Sequence, residues 1–429
     1  MRSRFVALLT TATTLLAAAC GGGSGEGSGE KVTLTFWAWV PGIDKAVALW
    51  NQENPDVQVN VSKIPAGGDG GYQKMHSALK AGNAPDLAQL EYEEVPGFLL
   101  AGGLEDLSRH DAAQYQNRFV DWQWQQGVFG GKPYVIPQAS GPMAMFYRKD
   151  LFDKWGIEPP KTWADYEKAA QEVRKRGAYI STFSPKSSGW FAGLAWQAGG
   201  QWFGTQGDTW VVDIDNPQTQ QVARYWENLV RRKLVKTIPD SSNEWFRDLQ
   251  EGQIATWVGA SWGDAILREN APKTAGKWRV APMPQWQAGQ NTAGNFGGSS
   301  TALLKGTKNA KEALRFAVWL NTDKESVDLL IKGGYGWPAA KGAFKGSALD
   351  QADAFFGGQR YNEVFATADQ SVNKNWKWIP TFSQTAATLT DGFKGAVGGG
   401  AGAFGQVIAT TDRQTVADLK SKGLQVAGR

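Results

Sequence analysis

The segment 130–150 constrains this chain most, because it separates two stretches that each alternate strand-like and helix-like patterns. Its ends, 134–136 and 143–147, are apolar and aromatic runs that favour β-strands. Between them lie two prolines, which supply no N–H to a β-ladder, and a flexible glycine. We therefore predict an extended crossover between two lobes that is interrupted in its middle, with Gln138 and Ser140 facing the gap.

Before this segment the patterns run strand-helix-strand-helix-strand, which implies a mostly parallel sheet. The predicted elements are 32–37, 45–54, 57–64, 72–81 and 85–90. Ligands of such sheets bind beyond the carboxyl ends of the strands. Trp39, the loop 67–71 and Glu91 follow these strand ends. We predict that they line a binding site.

After the crossover a second α/β unit begins. Thr162 is placed to cap a helix that runs to about residue 175. The further predicted helices are 217–232, 308–320, 323–331, 382–393 and 413–422, and the predicted strands are 178–183, 254–258 and 278–281. Together with the first unit, these patterns predict an α/β protein of two lobes.

Residues 1–19 are typical of a signal peptide, with two arginines, an apolar core and three closing alanines. Cys20, the one cysteine of the chain, follows directly, and residues 21–30 contain Gly, Ser and Glu alone, as flexible tethers do. A cysteine in this place resembles the lipid-modified residue of bacterial lipoproteins. We therefore expect a lipid-anchored protein on the outer face of the cell membrane; the alternative is a secreted protein with a free thiol.

The net charge is small. It is +4 for the whole chain, and removal of the two arginines of residues 1–19 leaves +2. Nucleic-acid binding calls for a strongly basic surface. We therefore predict no nucleic-acid partner.

Tryptophan is unusually frequent, with 21 residues beside 10 tyrosines. An indole offers a flat apolar face for a pyranose ring and an N–H for a hydroxyl. The candidates for stacking on a sugar lie at predicted loops or element starts: Trp39, Trp190, Trp262, Trp337 and Trp376. Acceptors for sugar hydroxyls are Glu91, Glu94 and Gln138. Five other tryptophans lie at apolar-face positions of helices and are predicted core residues: Trp50, Trp155, Trp163, Trp226 and Trp319.

Three motifs, at 131–137, 146–152 and 160–166, carry a resemblance to a known family. With them the chain resembles the extracellular solute-binding proteins of ABC sugar importers, in the maltodextrin-binding-like group, from about residue 32 to 424. The resemblance implies a periplasmic-binding-protein-like α/β fold in which three hinge crossings join two lobes around a ligand cleft. It also implies a carbohydrate ligand, delivery to the membrane subunits of an ABC permease, and a monomer.

The same resemblance suggests boundaries and site residues. The first lobe would comprise 31–138 and 296–336, and the second 139–295 and 337–429. Residues 188–191 and 256–262 resemble two stretches of the family in which an aromatic residue stacks on the sugar. The matching residues in this chain are Trp190 and Trp262. Residues 295–300 resemble a return crossing, where Phe296 and Gly297 would bring backbone amides to ligand hydroxyls. The loop 333–338, with Trp337, would be the third crossing.

Other function classes remain open. A polysaccharide-active enzyme needs two carboxylates facing each other across a sugar, whereas Glu91, Glu93 and Glu94 share one loop and Glu93 fits a solvated surface. A binding protein for a polyol, glycerol phosphate or peptide is a further alternative, although basic side chains are sparse around the candidate site. His76 and His110 lack zinc-site spacing and no Walker-type phosphate loop is present, so we predict no metal and no cofactor.

Overall fold

The computed structural model describes residues 31–427, so the predicted signal peptide, Cys20 and the tether lie outside the described residues. The strands are β1 (Val32–Ala38), β2 (Val57–Lys63), β3 (Leu87–Glu91), β4 (Val128–Phe129), β5 (Lys132–Pro133), β6 (Val135–Arg148), β7 (Phe203–Gln206), β8 (Thr209–Val212), β9 (Thr256–Ala260), β10 (Trp278–Ala281), β11 (Asn295–Leu303) and β12 (Trp337–Pro338). The helices are α1 (Ile43–Glu53), α2 (Gly71–Ala81), α3 (Val95–Leu100), α4 (Asp121–Gln126), α5 (Lys149–Trp155), α6 (Trp163–Lys175), α7 (Ser188–Gln197), α8 (Pro217–Arg231), α9 (Asn243–Glu251), α10 (Gly263–Asn270), α11 (Ala310–Thr322), α12 (Lys324–Gly333), α13 (Asn362–Ser371), α14 (Phe382–Ala396) and α15 (Ala403–Ser421).

The first sheet has the strand order β2-β1-β3-β11-β6. Strand β1 pairs in parallel with β2 and β3, as the first unit predicts, and β11 runs antiparallel to β3 and β6. The alternating pattern of β1 buries Leu34 and Phe36 in one core with Trp50 of α1 and Phe316 of α11. Because β1 and β3 are parallel, their carboxyl ends lie at the same edge of the sheet.

Strand β6 runs without interruption for 14 residues, so the predicted break in the crossover is wrong. Its prolines do not break the ladder, because the N–H groups of neighbouring residues and the proline carbonyls still form hydrogen bonds to adjacent segments. Met143 N donates to Gly294 O at 2.9 Å, and Ser261 N donates to Pro142 O at 3.0 Å. The irregularity appears instead as a register shift that leaves Gln138 without a paired residue on β11.

The second sheet is built on the second half of β6, which pairs antiparallel with β9 on one side and β10 on the other. The strand predicted at 178–183 is reduced to single bridges, from Tyr179 to Ile254 and from Thr182 to Lys236. The segment lies between two neighbours, with Ile180 N donating to Leu234 O at 3.2 Å and Thr256 N donating to Ile180 O at 2.8 Å. Helices α7 and α8 and the carboxyl-terminal α14 and α15 pack together around this sheet's largest core.

Two helix starts follow from capping residues. Thr162 Oγ1 accepts a hydrogen bond from Asp165 N at 3.1 Å, as predicted, and α6 begins at Trp163. Asn216 Oδ1 accepts one from Thr219 N at 2.8 Å just before the proline that opens α8. Both helices then bury an apolar face in the core of the second sheet.

The helical tryptophans divide into two groups. Trp50, Trp163 and Trp226 are buried as predicted, whereas Trp155 and Trp319 are only partly buried at the edges of the same cores.

Between residues 31 and 427 no helix combines the length and the apolar character needed to span a bilayer.

Candidate functional site

The carboxyl ends of β1 and β3 form one side of the candidate site. The backbone N–H groups of Trp39 and Val40 both donate to Gln89 Oε1 at 3.1 Å. The partly buried indole of Trp39 meets Tyr72 edge to face, with ring centres 6.1 Å apart, and Tyr72 donates its hydroxyl hydrogen to Glu91 Oε2 at 2.5 Å. Trp39 and Glu91 are thus linked through Tyr72, and sequence reasoning missed both Tyr72 and Gln89.

Three glutamates lie close together on this side of the site, one at the end of β3 and two just after it. Burial raises the pKa of Glu91, and the nearby Glu94 and Asp69 raise it further. Burial also raises the pKa of Glu93 well above its ordinary value, with Glu91 and Glu94 adding to the shift. Glu93 is partly buried, so the prediction of a solvated surface position for it is wrong. A cluster of three carboxyl groups favours a ligand that donates hydroxyl hydrogen bonds over an anionic ligand.

Glu94 connects this loop to a carboxyl-terminal helix. It is 9% exposed, and Ser383 at the start of α14 donates a hydrogen bond to Glu94 Oε1 at 2.5 Å. Burial raises its pKa, against the opposing effect of the Ser383 bond. Glu94 therefore already has a protein partner, and one of its oxygens is occupied.

The return crossing β11 forms the other side of the site, together with Trp262 at the start of α10. Trp262 Nε1 donates to Phe296 O at 3.1 Å, and the two rings meet at 63° with centres 5.1 Å apart. Both rings and Gly297 are partly exposed. Gly297 has a φ of +77°, which side chains rarely adopt. Trp262, Phe296 and Gly297 thus lie together, and their binding to a ligand remains a prediction.

Gly141 lets the two crossings approach each other. A Cβ at this position would lie 1.9 Å from Phe296 O. Gly141 N donates to Asn295 Oδ1 at 2.9 Å, and Asn295 Nδ2 donates to Gly297 O at 2.7 Å, which fixes the backbone of β11. Neither Gly141 nor Asn295 was selected from the sequence, although a glycine inside an extended run signals close backbone approach.

Gln138 and Ser140 lie at the back of the site and not at its surface. They are 0% and 1% exposed. Ser140 Oγ donates to Asp369 Oδ1 at 3.2 Å and accepts from Gln123 Nε2 at 2.9 Å. The prediction that Ser140 faces the gap is wrong, because α4 and α13 cover that face of β6. Within residues 31–427 both side-chain polar atoms of Gln138 lack a hydrogen-bond partner.

Three of the predicted stacking tryptophans are core residues. Trp190 is 6% exposed and donates its N–H to Val258 O at 2.8 Å, with its ring 4.8 Å from that of Trp226. Trp337 is buried against Phe344, and Trp376 is buried and stacked on another indole. All three side chains are buried in this structure, because the start of an element does not determine which face of it is covered.

The described part of the chain also bears on metal binding. Between residues 31 and 427 no group of three or more His, Cys, Asp or Glu side chains is arranged to hold a metal ion. The acids of the site, Glu91, Glu93 and Glu94, lie at the end of β3 and just after it. Trp262, Phe296 and Gly297 add aromatic rings and backbone groups from α10 and β11.

These features define a class of protein. Two α/β lobes joined by β6, β11 and the short β12, with aromatic and acidic groups at the carboxyl edge of one sheet, are the architecture of a two-lobe periplasmic-type binding protein. The chain belongs to the bacterial extracellular solute-binding proteins, whose family model matches residues 37–327. The recognition as a solute-binding protein of an ABC sugar importer and the predicted fold class are confirmed, and the family description agrees with a location outside the cell.

Curated relatives are similar over most of their length. The arabinooligosaccharide-binding protein of Bacillus subtilis (strain 168) is 27% identical over 325 residues, covering 71% of this chain and 73% of that protein. The lactose-binding protein of Rhizobium radiobacter is 23% identical over 349 residues, covering 78% and 81%. The family and these relatives are binding proteins.

Two solved structures are similar along almost the whole chain. The galacto-N-biose-/lacto-N-biose I-binding protein of an ABC transporter from Bifidobacterium longum, in complex with lacto-N-biose, has 30% identity and a TM-score of 0.85, covering 93% of this chain and 100% of that chain. The ABC transporter associated binding protein from B. animalis subsp. lactis Bl-04, in complex with beta-1,6-galactobiose, has 28% identity and a TM-score of 0.81 with the same coverage.

Proposed function

We propose that this protein captures a di- or oligosaccharide outside the cell membrane and delivers it to the membrane subunits of an ABC importer. The observation that carries the proposal is the pairing of Trp262 with Phe296 on one side of the cleft and of Tyr72 with Glu91 on the other. Aromatic faces suit the C–H face of a sugar, and a carboxylate suits its hydroxyls. The relatives that bind lacto-N-biose and beta-1,6-galactobiose support this reading.

In the proposed mechanism the two lobes close on the sugar by bending at the crossings β6 and β11. β6 and β11 pass between the lobes side by side and in opposite directions, so small backbone rotations near Gly141 and Gly297 let the lobes close on a sugar. Closure removes water and strengthens each hydrogen bond to the ligand. A sugar that contacts both sides shifts the population toward the closed form, because it binds that form more tightly.

Several finer points belong to the same proposal. We propose lobes of 31–138 with 296–336 and of 139–295 with 337–429, joined at the three crossings. A lipid on Cys20 would hold the protein at the membrane, and it would act as a monomer without catalytic activity or cofactor. Of the predicted ligand-binding set, Trp39, Glu91, Trp262, Phe296 and Gly297 remain proposed ligand contacts.

A non-sugar solute is the alternative of a different class. A phosphate-bearing solute needs cationic groups, whereas this side of the site carries the three acidic residues Glu91, Glu93 and Glu94. A polyol or a peptide would meet the same hydroxyl acceptors and aromatic rings. These solutes therefore belong in the same binding experiment as the sugars.

The test is a calorimetric titration of residues 21–429 with lacto-N-biose, beta-1,6-galactobiose, lactose, arabino-oligosaccharides and maltodextrins, and with glycerol phosphate and a tripeptide. We expect saturable binding of one sugar series. Trp262→Ala should weaken that binding by roughly thirtyfold, the effect of losing a contact worth about 2 kcal/mol. Trp319→Ala, a partly buried indole on α11 outside the cleft, is the matched control and should leave the affinity unchanged. Binding of the peptide or phosphate alone would overturn the proposal.

A further inference from the structure

A buried carboxylate ties together three separate parts of the chain behind the crossings. Asp369 lies on α13 and is 7% exposed. Its Oδ1 accepts a hydrogen bond from Ser140 Oγ on β6 at 3.2 Å and lies 3.5 Å from Gln123 Nε2 on α4. Helix α4 precedes the first crossing and α13 follows the third. The carboxylate therefore bridges the two proposed lobes through the strand that joins them.

A second contact makes the same connection. Gln126, one turn beyond Gln123 on α4, donates from Nε2 to Trp376 O at 3.1 Å in the segment after α13. Any rotation of one lobe against the other about β6 changes the distance between α4 and the segment 369–376. The Asp369 cluster therefore has a different environment in each arrangement of the lobes.

The surroundings of Asp369 are polar but nearly free of charge. Ser140 faces it from β6, Gln123 and Trp122 face it from α4, and the phenol of Tyr92 lies near it after β3. Tyr335, before β12, is close to Tyr92, and burial raises the pKa of both phenols, so neither ionises near neutral pH. The cation that acts on Asp369 is the exposed Lys374.

The balance of these effects shifts Asp369 toward its protonated form. Burial raises the pKa of Asp369 to about 6, against the opposing effect of the polar groups of Ser140, Trp122 and Gln123. The nearby Gln123 Oε1 and Tyr92 OH are buried and lack a hydrogen-bond partner in the described part of the chain. Gln123 Oε1 is an acceptor, and a protonated Asp369 is the only form of that side chain that can donate.

We infer that Asp369 is a proton-sensitive latch on the hinge, so that solute binding and protonation of this carboxyl are linked. The inference rests on the proposed function, since it needs a solute whose binding moves the lobes. If closure or opening exposes the carboxyl to water, its pKa returns toward the ordinary 3.8 of an aspartate. At pH 6 about half a proton per solute is then exchanged, and the affinity changes by up to about tenfold between pH 5 and pH 7.

The test is calorimetric titration at pH 6 with the best-binding sugar of the panel, in three buffers of different ionisation enthalpy. The slope of the measured heat against buffer enthalpy gives the number of protons exchanged. Because Glu91 and Glu93 contribute equally in both proteins, we expect the wild type to exchange about half a proton more than Asp369→Asn. Asp208→Asn, which removes the same charge from the exposed turn between β7 and β8, is the control and should behave as the wild type.

A second variant keeps the test decisive if Asp369→Asn does not fold. Gln123→Leu removes one donor to the carboxylate, so the pH window of linkage should move upward. The latch is refuted if the wild type exchanges no protons and binds equally well from pH 5 to pH 7, or if Asp369→Asn exchanges as many protons as the wild type. Failure of the proposed function is a separate result, because no sugar then gives binding heat at any pH.

Discussion

Replacing Asp369 by asparagine should stabilise the protein at neutral pH. The native pKa of about 6 lies some two units above the ordinary 3.8 of an aspartate. With 1.36 kcal/mol for each unit, keeping this carboxyl ionised in the folded state costs about 3 kcal/mol above pH 6. Asparagine is nearly isosteric, stays neutral, still accepts from Ser140 Oγ and adds a donor for the unpartnered Gln123 Oε1.

The sign follows from the raised pKa. The folded wild type binds the Asp369 proton more tightly than the unfolded chain does. The contribution of this proton to the free energy of unfolding is therefore fully present below pH 3.8 and is lost as the pH rises to about 6. Urea unfolding of the wild type and Asp369→Asn between pH 4 and pH 8 should therefore show a difference that grows by about 3 kcal/mol up to pH 6 and then stays constant. A difference that does not vary with pH would refute the reasoning, as would an equal growth in the exposed control Asp208→Asn.

Three further predictions concern packing and capping, each measured by the urea midpoint. Gly141→Ala should cost about 3 kcal/mol and weaken sugar binding, because its Cβ would lie 1.9 Å from Phe296 O; an unchanged midpoint would contradict this. Trp190→Phe should cost about 2 kcal/mol through the lost bond to Val258 O while sugar affinity stays within about twofold, and lost affinity at full stability would put this indole in the cleft. Asn216→Ala should cost about 1 kcal/mol by uncapping α8, whereas Asn216→Ser should restore most of it.

The sequence predicted the parts of the fold that local physics controls. A threonine before an amphipathic run starts α6 at the predicted residue, and apolar alternation locates β1 and β2 within one residue at each end. These signals act over a few residues, so they are visible in the chain itself. The parallel pairing of β1 with β2 and β3 followed from the strand-helix-strand order.

The errors lie where distant segments decide the outcome. Pro137 and Pro142 seemed to interrupt β6, but bonds from segments more than 100 residues away complete the ladder around them. Trp190 was placed in the cleft because it begins a helix, yet α8 covers its ring. Nothing in the sequence indicated that Asp369 is buried, since a single acidic residue in a helix is usually exposed. The packing of α13 on β6, with α4 beside it, buries this carboxyl.

The position of β11 has a consequence for how this protein is made. Residues 295–303 form the strand that joins β3 to β6, so the sheet begun at residue 32 lacks its fourth strand until about three hundred residues have been synthesised. The pairings that close it span large distances along the sequence, which makes folding slow. A chain that ends before residue 303 therefore cannot complete the sheet of its first lobe, however far its first three strands have paired.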